Sequence, residues 1–425
     1  MKLSVTSEIG RLRRVLVHLP GREIDVMMPS MMEDLLFDDI LYGQVAREEH
    51  RKFQQIIRFV ADEVHDFQDL LEETLEQEEA RREILADMKV RESLSRKTVA
   101  MLKEEPPASL AEMLIGGIEA PRAQKSEAHA FELSPLPNLF FMRDPQVILS
   151  DGVMISAMAT EARRRESLLS RFVFAYHPAF QGRDLFWMDE SDEPWPKGAS
   201  ASKRKPRIEG GDILVARRDL LLIGLTERTN RAGILRLAQS LRNGKSDVKT
   251  IIVIDIPNRR SYMHLDTVFT IINRHECLAH APVILEGGPE EADVYEIDLG
   301  KRPAFRQVGP LLRTLKKRGL DLEPIVCGGA NPIDQQREQW TDGANAFTLA
   351  PGIILGYERN VRTAEQLARR GYHLIYEDDL LLGRTELETW TDKKYAIQVS
   401  GYELSRARGG PRCMTMPLER EELAS

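Results

Sequence analysis

The chain has 425 residues, 42% hydrophobic and 30% charged, a balance that excludes collagen, a coiled-coil rod and wholesale disorder. At about 100–200 residues per domain it holds two or three domains, or one large domain with an insertion. Its 59 Lys and Arg against 67 Asp and Glu leave a net charge of −8, which argues against nucleic acid as the main partner because phosphate binding needs a cationic footprint.

In chain order, Arg14-Val15-Leu16-Val17-His18 reads as a strand closed by the turn Leu19-Pro20-Gly21. From about residue 30 the character changes. Phe53, Ile56, Ile57, Val60, Val64, Phe67, Leu71 and Leu75 recur at three- to four-residue spacing, which predicts amphipathic helix over many turns. A second helical stretch is expected over 79–103. Glu104-Glu105-Pro106-Pro107 stops it, and Ser109 to Glu112 supplies a capping box for the next helix. These residues are read as a helical insertion of nearly a hundred residues, which divides the chain into 1–29, 30–127 and 128–425.

After it, strands and helices alternate. Strands are expected at 147–149, 153–155, 213–215, 220–223, 250–254, 268–271, 283–285, 325–326 and 353–357. Helices are expected at 161–171, 229–242, 308–318 and 361–370, the last two ending at Gly319 and Gly371 as left-handed caps. Strand pairs each followed by a helix suggest repeated ββαβ units in an α/β fold. The stretch 190–206 reads as a loop and 419–425 as a short cap or frayed end. The longest apolar runs fall far short of the ~18–20 residues of a membrane span. Residues 1–7 lack an apolar signal core. Cys277, Cys327 and Cys413 are an odd count with no CxxC, which predicts neither a disulfide framework nor a structural zinc site and fits a cytoplasmic protein.

Two motifs mislead. Gly244-Lys245-Ser246 resembles the end of a phosphate loop, but Gln239 stands where its first glycine belongs and a helix precedes it. His264-Leu265-Asp266 could offer two metal ligands, but no HExxH or histidine cluster accompanies it, so no metal is expected.

Four stretches could carry chemistry. Leu136 to Pro145 places Asp144 before a proline and beside aromatics. Ile208-Glu209-Gly210-Gly211-Asp212 puts a glutamate where two glycines admit close backbone approach. In Tyr262 to Phe269, a strand's period of two would put His264 and Asp266 on one face. Arg408-Gly409-Gly410-Pro411-Arg412-Cys413 sets a cysteine after a glycine-rich, arginine-bearing loop, with cations and backbone N–H groups nearby. Each has an ordinary structural reading when taken alone. Together they supply a nucleophile, an acid/base and a set of anions. Asp144, Asp266 and Glu209 suit a cation, and the planar cation that carboxylates hold through paired donors is guanidinium.

These stretches, with Ser7-Glu8-Ile9-Gly10-Arg11, Leu35-Leu36-Phe37-Asp38-Asp39, Arg337 to Asn345 and Tyr357-Glu358-Arg359-Asn360, resemble the arginine deiminases of the guanidino-group-modifying superfamily over nearly the whole chain. The resemblance implies a five-bladed, pseudo-fivefold α/β propeller of ββαβ units with an inserted helical domain. It implies Cys413 as nucleophile, His264 as acid and base, Glu209 as the partner that orients His264 or holds the guanidinium nitrogens, and Asp144 and Asp266 as guanidinium-binding carboxylates. Arg163 and Arg228 match carboxylate-binding arginines, Arg408 a mobile loop arginine, and Asn138, Phe141 and Gly409 pocket positions. The reaction implied is cofactor-free hydrolysis of L-arginine to citrulline, by a protein that can form a homo-oligomer. Pro411-Arg412 departs from the small residues common before the cysteine. Amidino transfer, and a sensor that binds arginine without turnover, are the competing readings. Cys277 and Cys327 are expected to be spectators.

Overall fold

The computed structural model describes the chain except residues 34, 122–129, 189–204, 245, 390 and 424–425. Five sheets repeat one plan. In each, an antiparallel strand pair is followed, beyond a helix, by a third strand parallel to the second. Parallel neighbours need such a crossover, and a helix supplies it while covering the sheet. One unit joins Gln146–Leu149, Gly152–Ile155 and, beyond Arg164–Tyr176, Leu185–Trp187. The next joins Ile213–Arg217, Leu220–Leu225 and, beyond Arg231–Asn243, Thr250–Asp255. A third joins Phe269–Asn273, Glu276–Ala279 and Glu323–Val326, and a fourth Phe347–Ala350, Ile353–Tyr357 and Lys394–Val399.

The fifth is split between the chain's extremes. Met416–Arg420 runs antiparallel to Leu12–Val17, which pairs in parallel with Glu63–Asp66 beyond helix Gly43–Ile57. Central strands read as unbroken apolar runs because both faces are covered. Ile251 to Ile254 are all fully buried. This is an α/β protein. Among the described residues, no helix is long and apolar enough to cross a membrane.

The expected helix through Phe53 and Leu75 is broken. Helix Gly43–Ile57 ends, Glu63–Asp66 is a strand with Val64 opposite Val15, and a new helix covers Phe67–Leu75. Asp66 decides the break. Its carboxylate accepts the N–H of Gln68, starting the helix, and the N–H of Leu19, tying the strand to the fifth sheet. A cap of this kind contributes about 1 kcal/mol. Spacing alone could not separate four strand residues from two helices. The stretch 79–103 is likewise two helices, Glu78–Arg91 and Arg96–Glu104, the second capped by Ser95. The capping box does not form. The helix starts at Pro107, whose missing N–H costs nothing in the first turn, and the Ser109 hydroxyl donates to Glu105.

Residues 283–285 are not a strand. Ala281–Ile284 is one helical turn, started by Pro282. Gly319 and Gly371 take the expected left-handed conformation. Most of the loop expected at 190–206, Lys245 of the phosphate-loop decoy and residues 424–425 lie outside the described residues. Met416–Arg420 makes the start of the expected tail a strand.

Candidate active site

Each of the five units sends a side chain to one place from the loop just before its first strand. Asp144 precedes Gln146–Leu149, Glu209 precedes Ile213–Arg217, His264 precedes Phe269–Asn273, Asn345 precedes Phe347–Ala350 and Cys413 precedes Met416–Arg420. Residues at strand ends have defined positions without being consumed by the ladder.

His264 and Asp266 do not share a strand face. His264 caps the 3₁₀ turn Leu265–Thr267, which contains Asp266. Glu209 likewise precedes the 3₁₀ turn Gly210–Asp212. A tight turn swings successive side chains apart, so these two residues reach different partners. His264 Nε2 lies 2.8 Å from Glu209 Oε2, and its Nδ1 lies 3.8 Å from Asp144 Oδ1. Gly211 makes this possible, because a Cβ there would sit 2.7 Å from the imidazole and 2.8 Å from Asp144 Oδ1. Asp266 turns instead to the other end of the chain. Its Oδ2 accepts from Arg412 Nη1 at 2.7 Å and lies 3.8 Å from Cys413 Sγ.

A narrow cavity is lined by Asn138, Phe141, Asp144, Arg163, Arg228, His264, Arg408 and Cys413, together with Leu36, Met263, Thr267 and Ala407. Eight of the eleven residues singled out in the sequence therefore share one wall. Glu209 and Asp266 stand directly behind it. Gly409 presses on Phe141, whose ring a Cβ would overlap. Leu36, Met263, Arg228 and Arg408 also line an outer cavity of about 590 Å³. A larger one, about 900 Å³, lies beyond Trp340 and includes none of the expected residues.

The arginines are not equivalent. Arg163 is saturated. It donates to Asp144 Oδ2 at 2.6 Å, to Glu166 through Nε and Nη2, and to the Asn138 carbonyl. Buried Arg228 has Nε and Nη1 without partners. Arg408 stacks over Trp340, 3.4 Å from the ring centroid, and donates to Asp38 at 3.2 Å.

Burial opposes charge on His264, but Asp144, Glu209 and Asp212 outweigh it and push the imidazole up to about 9. Burial would also raise Glu209, yet the hydrogen bond from His264, with Arg228 and Arg163 nearby, holds that carboxyl below its usual range. Burial pushes the Cys413 thiol well up, and Asp266, Asp144 and Asp342 add to the rise. The imidazole is therefore the cation of the pair, and the thiol needs further positive charge to ionise. Oδ1 of Asp144 and Oδ1 of Asp266 are both buried without a hydrogen-bond partner. Ligand atoms of Asp144, Glu209 and His264 lie within 4.8 Å of one another, close enough to surround a small cation.

Three neighbours carried no assigned role in the sequence. Asn345 Oδ1 accepts the backbone N–H groups of Arg412 and Cys413, and its Nδ2 donates to the Asp266 carbonyl. Glu8 accepts from Arg412 Nε. Asp38 holds Arg408. All three fall inside motifs that carried the resemblance, but no spacing rule links residues 8, 345 and 412.

Comparison with known proteins agrees over the same span. The family model described as arginine deiminase matches residues 33–420. The chain belongs to the arginine deiminase family. It is 34% identical over 443 residues to an arginine deiminase of Staphylococcus aureus strain Newman, with 99% of each chain covered. An arginine deiminase of S. aureus strain JH9 is 33% identical, with the same coverage. Among solved structures, SxtG, an amidinotransferase from Microseira wollei, aligns with a TM-score of 0.55 at 13% identity, covering 99% of this chain and 98% of that one. Inosamine-phosphate amidinotransferase StrB1 from Streptomyces griseus aligns at 0.51 and 12% identity, covering 100% and 98%. At that identity these two speak to the fold alone.

Proposed function

We propose that this family member hydrolyses L-arginine to L-citrulline and ammonia through a covalent adduct on Cys413. The observation that carries the reading is a pair of buried, unpartnered acceptors: Asp144 Oδ1, on a residue that lines the same cavity as Cys413, and Asp266 Oδ1, whose companion oxygen Oδ2 lies 3.8 Å from Cys413 Sγ. Buried carboxylate oxygens without donors are costly, and a guanidinium supplies planar donors for both. Its positive charge is also what the thiol needs in order to ionise.

The thiolate adds to the guanidinium carbon. His264 donates its proton to the departing nitrogen, ammonia leaves, and an S-linked thiouronium remains. The now neutral imidazole takes a proton from water, whose oxygen adds to the same carbon. The carbon–sulfur bond breaks, the hydroxyl proton passes to solvent as the C=O forms, and citrulline and thiolate are released. Glu209 holds the imidazole and stabilises its cation. Arg228, with free donors, takes the substrate carboxylate, and Arg163 joins it if substrate draws it from Asp144. Arg408, Asn138, Phe141 and Gly409 shape the rest of the pocket. The proposed steps draw on no metal or cofactor, since the proton on His264 fills the place a cation would take.

The five repeated units are read as blades of a pseudo-fivefold propeller, supported by the one residue each sends to the site. Residues 30–127 are read as an inserted domain, although Glu63–Asp66 within it completes the fifth sheet. Cytoplasmic residence and self-association fit the reading. Incubation with arginine and a citrulline assay tests the reaction. No citrulline from folded protein, or undiminished output from Cys413→Ala, refutes it. Ornithine or glycine added as acceptor would yield a new guanidino product only if the adduct is transferred instead.

A further inference from the structure

Around Glu8 the chain buries three arginines, Arg143, Arg412 and Arg420, each no more than 3% exposed. Arg412 is the hub. Its Nε donates to Glu8 Oε2 at 3.1 Å, its Nη1 to Asp266 Oδ2 at 2.7 Å, and its Nη2 to the Ile213 carbonyl at 2.9 Å. Arg143 lies behind it, donating from its backbone to the Cys413 carbonyl and from Nε to the Arg412 carbonyl. Arg143 Nη2 and Arg420 Nε have no partner.

The charges do not balance. Within this cluster Arg412 bonds both Glu8 and Asp266 while Arg143 and Arg420 lie near Glu8 without bonding it, so three guanidinium groups face two carboxylates and one buried positive charge is in excess. Surplus charge in a dry interior is costly unless an anion answers it. Burial and the neighbouring Arg412 drag Arg143 down to about 9, as an uncompensated cation requires. The next residue along the chain from Arg412 is Cys413, whose sulfur lies 3.8 Å from the same Asp266 oxygen that Arg412 holds. Of the other charged groups facing the thiol, Asp342 keeps a buried Oδ2 without a hydrogen-bond partner, and the rest pair elsewhere. Asp144 pairs with Arg163 and His264, His264 with Glu209, and Asp342 sits near Arg408.

We propose that Arg412 is a positioning residue of this site: it grips Asp266 through Oδ2 so that Oδ1 stays free for substrate, and with Arg143 it supplies the buried positive charge that the Cys413 thiolate balances. The grip on substrate rests on the arginine-hydrolysing reading. The charge role does not.

Two variants separate position from charge. Arg412→Lys keeps the cation but at most part of the three-way grip, and Arg412→Gln removes the cation. The pH dependence of Cys413 alkylation by iodoacetamide, followed on the peptide that carries it, reads the thiol without turnover. Arginine kinetics per alkylatable site read the grip. Arg412→Gln is expected to move the alkylation midpoint up by about one pH unit or more, and Arg412→Lys by less than half as much. Arg412→Lys is expected to raise KM for arginine ~10-fold with kcat within about threefold, because uniform binding is lost. Wild-type midpoints and wild-type KM per site in both variants would overturn the proposal, since a merely structural arginine would change only the yield of folded protein.

Should Arg412→Gln fail to fold, Glu8→Gln keeps the shape and removes an anion, so the midpoint should fall. An unchanged or raised midpoint overturns the charge role. A wild-type protein that makes no citrulline but shows these alkylation shifts would sink the hydrolytic reading and leave the charge role of Arg412 standing.

Discussion

Two corners of the molecule hold a buried histidine between two carboxylates. At the candidate site His264 sits between Glu209 and Asp144. At the end of the first strand His18 sits between Glu23 Oε1 at 3.3 Å and Asp66 Oδ1 at 3.4 Å. The acids overcome burial in both, and His18 is pushed up to about 10. What differs is the state of the acids. Glu23 also accepts the Gly21 N–H, and Asp66 accepts those of Leu19 and Gln68. Asp144 keeps one oxygen unclaimed beside a cavity. A charged histidine pair is therefore not by itself a sign of catalysis. The sign is an acid whose hydrogen bonding is incomplete where a ligand can enter.

Exchanging the roles should break the comparison if it is wrong. His264→Asn should lower kcat for citrulline formation by ~10²–10⁴-fold, the usual range for a lost acid/base, with little change in the unfolding curve. His18→Asn should do the reverse. Turnover per folded molecule should stay within about twofold, while urea unfolding reports a loss of ~3–5 kcal/mol from stranding two buried acids. A large kcat defect in His18→Asn would show that the two corners are not separable.

The pH dependence of stability sharpens the same contrast. His18 is raised from an ordinary value near 6.5 to about 10 on folding. Its contribution is present in full below about pH 6.5 and is lost as pH rises through about 10. Wild-type protein should therefore lose stability across that window, and His18→Asn should lose less. Parallel urea titrations at several pH values measure it. Turnover should follow a bell-shaped profile, because the thiol and His264 titrate as a coupled pair, one giving up a proton and the other keeping one. A flat profile would exclude that pair.

Smaller effects test the pocket. Arg228→Gln should raise KM for arginine by ~30–100-fold, the worth of a charge-assisted hydrogen bond, and change binding of agmatine little, since agmatine has no carboxylate. Competition binding with both ligands reads the difference. The smallest effect is expected at Cys327, buried beside Thr363. Cys327→Ala should leave citrulline formation within about twofold and cost roughly 1–2 kcal/mol through a small cavity. Abolished turnover there would place the nucleophile at Cys327 instead of Cys413.

The residues that gather at the candidate site were more legible in the sequence than the fold around them. Asp144, Glu209, His264 and Cys413 stood out because proline or glycine, or a run that switches from polar to apolar, marks the loop before each first strand. Asn345 occupies the same station in the fourth unit, yet Gly343-Ala344-Asn345 carries no reactive group and drew no role. Arg412 read as a departure because its partners, Glu8 and Asp266, lie 404 and 146 residues away. Strand Asp293–Asp298 passed unseen because acids at its ends and middle interrupt its apolar positions. Helix Ala281–Ile284 was too short for periodicity to outweigh its β-branched residues.

The pairing of Met416–Arg420 with Leu12–Val17 has a temporal meaning. A polypeptide leaves the ribosome from its amino end, so the first strand can pair early with Glu63–Asp66 but must wait for some four hundred residues before its antiparallel neighbour exists. The sulfur of Cys413, three positions ahead of that late strand, cannot be seated before the strand itself has been made. A nascent or prematurely released product lacking Met416–Arg420 would thus carry the acids and the imidazole but stay chemically silent, and the power to consume a metabolite would switch on only after those residues had been made.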